Sequence, residues 1–131
     1  MNDMKTIKMY CKACNVKLTD ELEEIHESLL NFNNYGETAI DKGKFSVHTE
    51  NGNKELIIAI DPYFLKNHKD MGRFTGCCGS SGLDGMNKTC LNGHEVATEV
   101  SDCCTPHYIG FNLKKVIIKE VTDDYNLKKR L

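Results

Sequence analysis

The chain has no tryptophan, two prolines and, against fifteen lysines, only two arginines, Arg73 and Arg130. Scarce arginine removes the planar, bidentate donors that proteins use on phosphates and guanine edges, which weakens a nucleic-acid role. No apolar run reaches the roughly 20 residues that cross a bilayer as a helix. The run Met1-Asn2-Asp3-Met4-Lys5-Thr6 lacks the apolar stretch of an export signal, so the expected location is the cytosol. No Gly-Lys-Ser or Gly-Lys-Thr follows the glycines of the 76–85 region, which excludes a Walker-type phosphate loop there. Abundant Lys, Asn and Ile with little Arg and Pro suggests an AT-rich, bacterial source.

What is present is cysteine. Seven occur in 131 residues, an odd number, and thiols stay reduced in a protein without an export signal. Metal ligation or reactivity is therefore the stronger expectation and a disulfide framework the weaker one. The length suits one domain with a core of its own, and 40% hydrophobic with 27% charged residues is the composition of an ordinary globular chain.

Alternation over Lys5–Tyr10 predicts a short strand leading into the turn Cys11-Lys12-Ala13-Cys14, a knuckle over 10–15. Leu22, Ile25, Leu29 and Leu30 fall on one helical face with Glu21, Glu23, Glu24 and Glu27 opposite, and Asp20 with Glu23 has the spacing of a capping box. The expectation is a principal helix over 20–31. Two β-rich runs joined by Glu50-Asn51-Gly52-Asn53 predict a hairpin over 44–60. Asp61-Pro62 predicts a short helix to about Asn67. A Cys/Gly-rich segment over 72–107 is too rich in glycine for regular structure, closing strands are expected over 108–121, and 122–131 reads as an exposed charged tail. The resulting fold class is α+β: a mainly antiparallel sheet, one principal helix and a metal-stapled Cys/Gly-rich segment.

Cys-x-x-Cys lets one turn present two thiolates at neighbouring corners of a tetrahedron, and Zn²⁺ in a structural site wants four such ligands. Cys11 and Cys14 meet that need, and the remaining ligands must come from far along the chain. Cys77, Cys78, Cys90 and Cys103 are the candidates. One zinc is expected, although seven thiols with His94 and His107 hold enough donors for two. Cys104 and Cys77 also suit plain packing, His94 a surface loop, and His107 a structural hydrogen bond as readily as ligation; no catalytic residue is assigned.

The run Tyr10-Cys11-Lys12-Ala13-Cys14 resembles the first knuckle of zinc-ribbon and rubredoxin-like proteins. Where that knuckle continues with glycine, this chain has Asn15-Val16-Lys17. The segment from Gly76 to His107 is similar to segments of small uncharacterised bacterial proteins. The resemblance implies a small zinc-binding protein, and such cytosolic proteins include immunity proteins that neutralise a toxin. A non-catalytic zinc protein recognising another protein is the leading expectation. A zinc enzyme using Glu95, Asp102 or His107 beside an open metal position is the second, and a nucleic-acid-binding ribbon the third.

Overall fold

The structure, a computed structural model, describes residues 4–61 and 63–121. Nine strands form one curled mixed sheet: β1 (Thr6–Cys11), β2 (Leu22–Glu24), β3 (Lys44–Glu50), β4 (Asn53–Ile58), β5 (Lys66–Asn67), β6 (Lys88–Thr89), β7 (Glu95–Val100), β8 (Tyr108–Asn112) and β9 (Val116–Glu120). Their spatial order is β5-β6-β7-β8-β4-β3-β2-β1-β9, and among the described strands only β2 and β3 run parallel. Alternation on β1 turns Ile7, Met9 and Cys11 inward, where they meet Leu22, Phe45, Leu56, Ile58, Val96, Ile109 and Phe111. Asn51 and Gly52 both have positive φ, 54° and 81°, which lets a two-residue turn follow the twist of β3 and β4.

The principal helix over 20–31 does not form, and the fold is nearly all β rather than α+β. The only helical turns among the described residues are 3-10, at Glu27–Leu29 and Met71–Phe74. A twelve-residue helix is marginal in water, and its backbone here finds better partners in the sheet. The Glu24 N–H donates to the Lys5 carbonyl (2.8 Å) on one side, while those of Glu23 and Ile25 donate to Gly43 (2.9 Å) and Phe45 (2.8 Å) on the other. The three residues of β2 thus join β1 to β3, two edges that would otherwise be unpaired. The charges expected to cap the helix are used elsewhere: Asp20 pairs with Lys17 (2.8 Å) and Glu23 with Lys44 (2.5 Å).

The apolar pattern of the segment still marks burial. Ile25, Leu30 and Phe32 pack over Ile40, Ile57 and Ala59 on the outer face of the β3–β4 hairpin. Leu29, on the same hypothetical helix face, is 67% exposed. Leu29→Ala should therefore change stability by less than about 0.5 kcal/mol in denaturant unfolding, whereas truncating a leucine on a buried helical face costs roughly 2–5 kcal/mol. A loss in that larger range would contradict the exposed placement of Leu29 in the 3-10 turn.

Lys66–Asn67 lies in a strand paired with β6 instead of ending a helix; Pro62 and the expected tail at 122–131 lie outside the described residues. The Cys/Gly-rich segment contains β6 and the six-residue β7, whose Val96 and Ala97 are buried between β6 and β8. The β6–β7 register shifts between Lys88 and Thr89, and with both Val96 and Ala97 buried the irregularity hides the period of two in β7.

Candidate metal centre

The strand order places β6 and β7 towards one end of the sheet and β1 and β9 at the other. The curl brings these ends together, and two turns meet at the seam. In the first, Cys11 closes β1, its N–H donates to the Val16 carbonyl (2.8 Å), and the Asn15 N–H donates to the Cys11 carbonyl (2.6 Å). Asn15 takes φ 68°, a left-handed conformation that asparagine tolerates better than other residues with a side chain. In the second, the β6–β7 turn, the Cys90 N–H donates to the His94 carbonyl (2.9 Å), the Gly93 N–H donates to the Cys90 carbonyl (2.9 Å), and Gly93 has φ 90°.

Cys11, Cys14, Cys90 and His94 face one another across this seam, with one ligand atom from each lying within 4.8 Å of all the others. A tetrahedral ion bonded to sulfur at about 2.3 Å and to nitrogen at about 2.0 Å separates two sulfurs by about 3.8 Å and sulfur from nitrogen by about 3.5 Å. The Cys14 and Cys90 sulfurs are 3.7 Å apart, and Cys90 Sγ is 3.3 Å from His94 Nδ1. The backbone N–H groups of Asn92 and His94 donate to Cys90 Sγ (3.3 and 3.4 Å), and Asn92 Nδ2 donates to Cys14 Sγ (3.3 Å). Donors aimed at sulfur stabilise thiolate, the form a metal requires. Three sulfurs and one imidazole at these separations fit a tetrahedral ion.

The two knuckle thiols differ. The Asn92 amide, followed by the Val16 N–H, brings the Cys14 pKa down to about 6, while burial pushes that of Cys11 up. In chelator-treated, reduced protein, alkylation of Cys14 should rise through about pH 6, as the reactive thiolate forms above its pKa, while Cys11 stays slow at neutral pH. Peptide mass spectrometry after timed iodoacetamide treatment checks this; equal rates for the two at pH 7 would refute it.

Of the residues singled out in the sequence, Cys11, Cys14 and Cys90 converge here, and His94 joins them. Cys90 and His94 flank a glycine turn as Cys-x-x-x-His, and His94, which suited a surface loop as readily as ligation, stands with the cysteines. Cys77, Cys78 and Cys103 form a second group elsewhere, in which Cys78 and Cys103 are disulfide-bonded. The three acid–base candidates of the enzyme reading have other partners. Glu95 binds His68 and Arg73 (2.9 Å each), contacts that hold its carboxyl below the usual range, the histidine first. Asp102 accepts the N–H groups of Cys78 and Cys103 (2.8 Å each), and His107 Nε2 lies 3.0 Å from the Asp102 carbonyl.

A pocket of about 460 Å³ beside the seam is lined by Cys11, Lys12, Ala13, Gly93, His94, Glu95, Lys114 and Lys115. No helix among the described residues is long and apolar enough to cross a membrane. No protein-family model, no curated protein and no solved structure matches this chain.

Proposed function

We propose that this chain is a non-catalytic zinc protein of the cytosol, in which Cys11, Cys14, Cys90 and His94 hold one Zn²⁺ that fastens the two ends of the curled sheet. The observation that carries this reading is the approach of the Cys14 and Cys90 sulfurs to 3.7 Å from turns at opposite ends of the strand order. Three thiolates and an imidazole suit zinc, and they favour it over calcium or magnesium, which prefer oxygen. Four protein ligands leave no position for a reacting water, which is the pattern of a structural site. The two turns play the part of paired zinc-ribbon knuckles.

Such a staple would stiffen the loop-rich surface between β5 and β7, where Met71 and Leu83 present exposed apolar side chains. Recognition of a partner protein through that surface is the role we assign to the fold. Elemental analysis and native mass spectrometry of protein purified without added metal test the zinc reading. One tightly held zinc per chain, lost with strong chelator, is expected. Metal-free protein that takes up no zinc when reduced would overturn it.

A further inference from the structure

The second cysteine group lies where two loops touch, Gly76–Gly79 and Ser101–Cys104. The sulfurs of Cys77, Cys78 and Cys103 lie within 4.8 Å of one another, and Cys103 Sγ is 3.9 Å from that of Cys104. Cys77 and Cys104 are exposed free thiols, while Cys78 and Cys103 are joined to each other. Two adjacent-cysteine pairs therefore face each other at the surface.

We propose that this cluster is a redox-gated site for a second thiophilic ion, closed while the Cys78–Cys103 bond exists and opened by its reduction. In the gating step, a dithiol reductant supplies two electrons and two protons. The sulfur–sulfur bond breaks, Cys78 and Cys103 become thiols, and the reductant becomes a disulfide. Zn²⁺ then displaces the three thiol protons of Cys77, Cys78 and Cys103, which pass to solvent, and a water takes the fourth position.

The geometry supports this because the disulfide is not what holds the loops together. Asp102 is buried, and its Oδ1 accepts both the Cys78 and the Cys103 backbone N–H (2.8 Å each). The Ser101 N–H donates to the Ser80 carbonyl (2.8 Å), the Ser80 N–H to Ser101 Oγ (3.3 Å), and the buried Asn87 amide to Ser80 Oγ (2.8 Å). At Gly79 the loops approach so closely that a Cβ would lie 2.5 Å from the Ser101 carbonyl oxygen. Reduction breaks none of these contacts, so the thiols stay within reach of one ion. Ligands already in place bind without the cost of ordering a loop. Because a sulfur in a disulfide is no thiolate ligand, the bond and the ion exclude each other.

Native mass spectrometry with zinc tests the proposal on protein carrying the Cys78–Cys103 bond and on protein reduced anaerobically with a phosphine, which offers no competing thiol. Oxidised protein should bind one zinc and reduced protein two. Cys77→Ser, which leaves the disulfide intact, and Cys103→Ser should each stay at one zinc after reduction. Cys14→Ser, which removes the seam site, should go from none to one on reduction, so the two sites are counted separately. A reduced wild type that gains no zinc, or a Cys77→Ser variant that gains it undiminished, overturns the proposal. Failure of the seam site alone would appear as none before reduction and one after it, leaving the gated site standing.

Discussion

Cys90→Ser is expected to abolish zinc retention and to lower the stability of the zinc-loaded protein by about 4 kcal/mol at free zinc a thousandfold above its Kd, the linkage free energy lost with the ion. Of the candidate ligands, Cys90 has the most partners at the seam: its sulfur lies beside Cys14 and His94 and receives two backbone N–H groups. It is also fully buried within the main core, so serine adds a packing penalty that must be told apart from the metal effect. Chelation of the wild type separates the two. If the metal carries the loss, chelator should reproduce most of it in the wild type and do nothing further to the variant. A variant that retains zinc, or a wild type whose unfolding is indifferent to chelator, would refute the staple. Serine at Cys11 should act in the same direction, because Cys11 belongs to both the core and the seam.

Asn87→Leu should cost about 3–5 kcal/mol, since it deprives several buried groups of their partner at once, each worth roughly 1–3 kcal/mol when left unsatisfied. Asn87 is fully buried and smaller than leucine, so no cavity forms and an overpacking cost of about 1–3 kcal/mol adds to the polar one. Its Nδ2 donates to the carbonyls of Arg73 (3.2 Å) and Glu99 (3.1 Å) and to Ser80 Oγ (2.8 Å), and its Oδ1 accepts the Glu99 N–H (2.6 Å). One side chain thus ties the Arg73–Ser80 loop to β7. Urea unfolding should show a lower midpoint with an unchanged slope, and limited proteolysis should cut first between residues 73 and 81. A loss below about 1 kcal/mol would show that water or rearranged side chains replace the missing amide.

The consequences of local chemistry were legible in the residues themselves. Asn51-Gly52 marks its hairpin because both positions must take positive φ, and alternation marks β1 because its inner side chains meet one core. The spacing of Cys11 and Cys14 places both thiols on one turn whatever the remainder of the chain does. The run from Leu22 to Leu30 was misleading for a related reason. Leu22, Ile25 and Leu30 do turn inward, but a period compatible with a helix cannot reveal that Leu29 stays exposed and that the backbone of Glu23, Glu24 and Ile25 will be claimed by strands on both sides. The alternation of β7 is blurred because Val96 and Ala97 are both buried beside its register shift with β6.

By itself, then, the sequence determined that thiols would be gathered at turns and that a hairpin would form at Asn51-Gly52. Only the tertiary structure decided that the sheet curls until Cys14 meets Cys90, that His94 completes this group, and that Cys77, Cys78 and Cys103 stand apart around Asp102. The physical reason is distance along the chain. Turns and alternation are set by neighbouring residues, whereas Cys14 and Cys90 are 76 positions apart and meet only through the summed twist and order of nine strands.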